Sequence, residues 1–213
     1  MDLENYKKTW KNQPEETNKV SKVDIYRMAH SKSSSVVKWI FIIGILELIF
    51  WTGLNFMVPD SYIDIYKEFN IMGYTKIYTL LHYVVIFLFL FLFYKNYTSI
   101  SITDSTKRLM TKILKVRKTV KYYIYYNLAG LVITNIIISA VFLSKPNVLE
   151  KMVNPKGLEV DLNSLLSGFL IATIAMVLVV FLVLWLFYKV TYGKLLKKLN
   201  KNYKELDNLE GLN

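Results

Sequence analysis

Four runs of apolar residues, each about long enough to cross a lipid bilayer, constrain this chain more than any other feature. The clearest is residues 77–94, IYTLLHYVVIFLFLFLFY, 18 uncharged residues between Lys76 and Lys95. Its FLFLFLF segment alternates with the period of a β-strand, but both alternating residues are apolar, so the alternation defines no wet face. Length decides the matter. Buried strands run to about 4–8 residues, whereas a hydrocarbon core of ~30 Å needs about 20 apolar residues as a helix. Runs at 39–57 (broken only by Glu47), 122–143 and 165–188 repeat the pattern. One such run suits a globular core helix; four in a chain of 213 residues do not. Backbone polar groups in lipid must be satisfied within their own segment, so each run is expected to be a helix. The predicted fold is all-α, a single four-helix transmembrane bundle with helical cytoplasmic extensions and a short outer interfacial helix.

Charge is segregated from these runs. Residues 1–38, 95–121 and 189–213 carry 22 Lys and Arg, and the connections 58–76 and 144–164 carry 5. The net charge of +11 therefore reads as membrane topology rather than nucleic-acid binding. By the positive-inside rule both termini and the middle connection are expected in the cytoplasm of a bacterial inner membrane. Anionic lipid headgroups are the expected partners of this basic face, at about 1 kcal/mol per residue near the surface. The chain has no Cys, which excludes disulfides and thiolate chemistry. About 38 mostly polar residues precede the first run, so the start is not expected to be a signal peptide.

The basic segments are patterned. Leu3, Tyr6 and Trp10 share one face of a short predicted helix that Pro14 ends. Ser21 and Asp24 fit a capping box for a second start. In TDSTKRLMTKILKVRKTVKYY, apolar Leu109, Ile113, Val116 and Val120 recur at spacings of 4, 3 and 4 and run without a breaker into the third apolar run. That helix is expected to start near Ser105 with Thr103 or Asp104 as its cap. Leu195, Leu199, Leu206 and Leu209 mark a similar stripe after the fourth run. Two outcomes are open for these stripes: a small cytoplasmic bundle, or basic amphipathic helices lying on the inner leaflet. On the outer side, PDSYIDIYKEFNIMG predicts an interfacial helix capped by Asp60 and stopped at Gly73, and the connection around Pro155 and Gly157 reads as a turn-rich loop.

Catalytic motifs are absent: no Gly-rich phosphate loop, no GxGxxG, no HExxH, and His30 and His82 are too few for a multi-histidine metal site. No cofactor is expected. Glu47 stands out, because a carboxylate within the bilayer costs several kcal/mol unless it is neutral or paired. Counted from the outer ends of the runs at 1.5 Å per residue, Glu47 lies ~15 Å deep, Asn135 and Thr173 ~12 Å, and His82 ~7.5 Å. These four residues form the predicted intramembrane polar layer. It reads either as a site for a proton, ion or ligand, or as packing glue in which a protonated Glu47 bonds Asn135; the lack of a second acid or an embedded Lys or Arg favours the latter. Gly168, Ala172 and Ala175 suggest a close-packed seam beside it.

The stretches LENYKKTWKNQPEE and SITDSTKRLMTKILKVRKTVKYY, with the helix spacing throughout, resemble an uncharacterised family of small four-helix membrane proteins of Bacteroidota, chiefly flavobacteria. Its members often carry the label β-carotene monooxygenase. Carotenoid cleavage enzymes hold iron with four histidines on a β-propeller, and a chain with two histidines and no strand run does not fit that label. The resemblance thus implies a fold and no activity. Two functions are expected to compete, neither of them enzymatic. One is a regulatory or scaffolding protein that docks a cytoplasmic protein through Trp10, Leu109, Ile113 and Val116. The other is a small transporter or ligand sensor using the Glu47 layer.

Overall fold

The computed structural model describes residues 22–100, 104–154 and 161–211. The first short helix with Trp10, the Ser21 cap, Thr103 and the Pro155–Gly157 turn fall outside the described residues.

Six helices follow one another: α1 (Lys22–Phe56), α2 (Asp60–Glu68), α3 (Met72–Ser99), α4 (Thr106–Leu143), α5 (Pro146–Val153) and α6 (Leu162–Glu210), with no strand among the described residues. Four of them, α1, α3, α4 and α6, are long and apolar enough to cross a membrane. They run up, down, up and down. Neighbours in the bundle follow the ring α1–α3–α4–α6, so every neighbouring pair is antiparallel. Helix α1, of 35 residues, is ~52 Å long and α6, of 49, is ~73 Å, against a hydrocarbon core of ~30 Å. Helix α4, of 38 residues, is ~57 Å long, so α4 and α6 are both much longer than a hydrocarbon core and extend past their apolar runs at the basic end.

The projections pack together. A core of Ala29, Val36, Val37, Ile40, Leu109, Ile113, Val116, Val120, Leu199 and Leu206 is closed to solvent. The stripes thus form a bundle rather than lying flat, and the third member is the start of α1. Ala29, Ser33, Val36, Val37 and Ile40 offer small or β-branched side chains on one face, which lets α4 and α6 approach closely. Two buried hydrogen bonds fix the register there, Asn202 Nδ2 to Ser33 Oγ at 3.0 Å and Asn96 Nδ2 to Thr119 Oγ1 at 3.4 Å. The α3–α4 turn is clasped as well. Lys112 pairs with Asp104 at 2.6 Å and donates to the Ser99 carbonyl, while the Tyr26 hydroxyl donates to the Asp104 carbonyl. Asp104 thus binds Lys112, and Ser105 is the cap of α4, its Oγ accepting from Arg108 N–H at 3.3 Å.

Within the membrane the bundle is looser. All buried residues of α6 lie from Tyr188 onward. Gly168, Ala172 and Ala175 face outward, and a Cβ on Gly168 would meet nothing within 4 Å, so the expected seam does not form. Lipid tails solvate a leucine as well as another leucine does, so no hydrophobic force drives these turns together.

A second, smaller core closes the distal end. Phe69, Ile71, Phe142 and Leu149 meet there, with Phe69 and Phe142 stacked at 4.3 Å between centroids. Lys145 Nζ donates to the Phe69 carbonyl at 3.0 Å, at the C-terminus of α2, where a cation complements the helix dipole. Helix α2 has Pro59 as its N-cap, without a side-chain bond, in place of Asp60. It ends at Glu68 with Phe69 as its C-cap, and the chain turns at Asn70, in the left-handed region with φ 57, three residues before Gly73, which lies inside α3. Asn tolerates that conformation at little cost. The described part of the last connection holds a helix too: α5 begins at Pro146, where a missing N–H is harmless.

Candidate functional site

Glu47 points into the bundle and is only 6% exposed. Its partners are tyrosines. Tyr188 donates to Oε1 at 2.6 Å and Tyr192 to Oε2 at 3.1 Å, both from α6. Tyr123 of α4 and Trp51, one turn on in α1, line the same cavity as the carboxyl group. The three tyrosine rings pack on one another at centroid distances of 5.9–6.3 Å, with Phe93 and Phe89 against Tyr123.

The expected layer therefore divides. Asn135 bonds back to the Leu131 carbonyl of its own helix at 2.9 Å, and Thr173 lies half-exposed on α6. Asn135 is 12 residues beyond Tyr123, ~18 Å along α4, and Thr173 is 15 residues from Tyr188, ~22 Å along α6. Glu47 is thus level with the basic-side ends of the third and fourth runs. The helices are staggered, and the charged residues that bound each run are not at one height. Side-chain direction brings the partners together. Side chains lean toward the N-terminus of their helix, so Glu47 on α1 leans toward the basic end while Tyr188 and Tyr192 on the antiparallel α6 lean the other way to meet it.

His82 does share space with Glu47. A cavity of about 200 Å³ lies between α1, α3 and α4, lined by Glu47, Trp51 and Asn55, by Tyr78, Thr79, His82, Tyr83 and Ile86, and by Tyr123 and Asn127, with Leu48 beside them. From Asn55 to Glu47 on α1, and from Tyr78 to Ile86 on α3, is eight residues, so the cavity reaches ~12 Å from a distal rim to the carboxylate. His82 Nδ1 bonds the Tyr126 hydroxyl at 3.1 Å, and its ring lies between those of Tyr126 and Tyr78, at 5.6 and 6.2 Å. Thr134 donates to the Tyr78 hydroxyl at 2.7 Å and so anchors that wall to α4. Of the four residues in the predicted layer, the structure brings Glu47 and His82 to one cavity and leaves Asn135 and Thr173 outside its lining.

The predicted partner-facing residues need correction. Leu109, Ile113 and Val116 are at most 1% exposed, inside the chain's own basic-end core. Their apolar stripe is consumed by α1 and α6. Trp10 lies outside the described residues.

Sequence reasoning missed Tyr123, Tyr188 and Tyr192, although a signal for them exists. The stripe on α4, continued past Val120, reads Leu109, Ile113, Val116, Val120, Tyr123, Asn127 in spacings of 4, 3, 4, 3 and 4. The α6 stripe, traced backward, reads Leu209, Leu206, Asn202, Leu199, Leu195, Tyr192, Tyr188 with the same rhythm. Following one heptad seam across the charged border between lipid and water puts all three tyrosines in the core.

Four antiparallel membrane-length helices, with a buried carboxylate and a polar, aromatic cavity among them, define a multi-pass α-helical membrane protein. Residues 23–211 match the family described as Domain of unknown function (DUF8845), and the chain belongs to that family. No curated protein and no solved structure matches it. Among the described residues no group of three His, Asp or Glu side chains could hold a metal ion.

Proposed function

We propose that the protein is a binding protein of the bacterial inner membrane, a small transporter or ligand sensor and not an enzyme, with the Glu47 cavity as its site. The observation that carries this reading is the cavity itself: a polar and aromatic chamber held open beside a buried carboxylate, in a part of the bundle where lipid could have been excluded by simple apolar packing. Both termini are taken as cytoplasmic, on the strength of the basic residues gathered at that end, so the cavity rim faces outward. An alkaline-phosphatase fusion after Asn213 should then be inactive and a cytoplasmic reporter active.

The chain has no cysteine, which makes accessibility straightforward to measure. Single cysteines at Thr79 and Asn127, in the cavity, should react with a charged, membrane-impermeant methanethiosulfonate much faster than one at the lipid-facing Leu88. Equal, slow reaction at all three positions would remove the aqueous cavity and the reading with it.

The docking alternative has a narrower footing. Its apolar stripe is buried, but Lys107, Arg108, Lys112 and Lys115 line a shallow basic groove with Ser105 and Thr111. That surface suits anionic headgroups or an acidic segment of a cytoplasmic protein, by charge alone.

A further inference from the structure

The walls of the cavity carry a chemical preference. Its one formally charged side chain is Glu47; no Lys or Arg lines it. Four of its lining residues are Trp51, Tyr78, Tyr83 and Tyr123, whose ring faces carry partial negative charge. The remaining polar groups, Asn55, Thr79, His82 and Asn127, can each present an acceptor. An anion would meet a carboxylate and π faces with no basic partner. A neutral apolar ligand would leave that carboxylate and those acceptors unmatched. A cation is matched by both, through Coulomb attraction to Glu47 and through cation–π contact with the ring faces. Aromatic faces favour a diffuse organic ammonium over a small hydrated metal ion. At about 200 Å³ the chamber is smaller than the ~300–1,000 Å³ sites of drug-sized ligands.

Resting on the reading of the cavity as a ligand site, we infer that its ligand is a small organic cation, an alkylated or protonated amine, seated against Trp51, Tyr83 and Tyr123 with Glu47 as counter-ion.

The test uses the full chain in lipid nanodiscs, with Trp10, Trp39 and Trp185 replaced by Phe so that Trp51 is the sole reporter. Choline and its uncharged carbon isostere, dimethylbutanol, are titrated against tryptophan emission. Choline should give a saturable change, and the isostere at least tenfold weaker binding. Glu47→Gln and, separately, Tyr83→Leu should each weaken choline at least tenfold while the thermal unfolding midpoint stays within a few degrees. The second variant guards against a Glu47 change that perturbs folding. Equal binding of choline and the isostere would overturn the cation inference and leave the ligand cavity standing. Saturation by choline that survives both substitutions would place the cation elsewhere and overturn the inference too. No saturation by either compound overturns it as well, and the thiol-labelling rates then decide separately whether the cavity is open to water.

Discussion

At the scale of single residues, Glu47 organises the contact between α1 and α6. Both carboxylate oxygens are occupied by tyrosine hydroxyls, so removing the carboxylate strands buried O–H groups. Glu47→Leu should cost about 0.6–2 kcal/mol in detergent unfolding, in the range of polar contacts between membrane helices. Glu47→Gln, which keeps an acceptor and adds a donor, should cost clearly less. A double-mutant cycle with Tyr188→Phe should show a coupling of at least about 0.5 kcal/mol; strict additivity would mean that the hydrogen bond contributes nothing. Gly44 is the other demanding position. A Cβ there would come within 2.9 Å of Leu90 Cδ2, the tip of a flexible side chain on α3. Gly44→Ala should be tolerated because Leu90 can turn aside. Gly44→Leu should overpack the α1–α3 contact at about 1–3 kcal/mol, read as a lower unfolding midpoint.

At the scale of helices, the basic-end bundle behaves like a small soluble coiled coil grafted onto membrane spans. Its stripes repeat every 3.5 residues on average, the period that keeps a seam facing its partners. Ile113 and Leu199 are fully buried in it. Ile113→Asp or Leu199→Asp should destabilise this end by several kcal/mol, since each buries an unpaired charge. Limited proteolysis should then cut within residues 106–121 or 194–210 while the spans stay protected by lipid. Leu170→Asn, at an exposed position of α6 in the membrane, should leave that cleavage pattern unchanged. Were all three variants cleaved alike, the bundle would not be a separate packing unit. The cap at Ser105 is worth less: Ser105→Ala should cost about 1 kcal/mol.

At the scale of the molecule, two kinds of solvent explain one uneven architecture. In water, apolar burial drives α1, α4 and α6 tightly together at the basic end. In lipid that force is absent, so packing there rests on a few polar and aromatic contacts, and the helices stand far enough apart to leave a cavity. The distal core of α2 and α5 closes the other end through Phe69, Phe142 and Lys145. A chain ending at Gly193 would lose Leu195, Leu199, Asn202 and Leu206, and with them the clamp on α1. It should still insert, because the four spans are intact, but should unfold at a lower temperature in detergent. An unchanged midpoint would mean that the membrane half holds itself together.

The helical class, the four spans and the amphipathic stripes were all legible in the sequence, because they depend on local period and on the solvent each residue must face. Glu47 was legible as a residue with a demand, because a carboxylate in lipid needs a partner whatever the fold. Which partner it finds was not legible. Run ends marked by Lys38, Lys121 and Lys189 give each helix its own frame, but the axial offset between frames is set by how side chains from antiparallel helices interlock, and that stagger exchanged Asn135 for Tyr188 and Tyr192. The fate of Leu109, Ile113 and Val116 was open for the same reason. An apolar stripe shows only that something must cover it, and only the tertiary structure decides whether the cover is lipid, a partner or the chain's own α1 and α6.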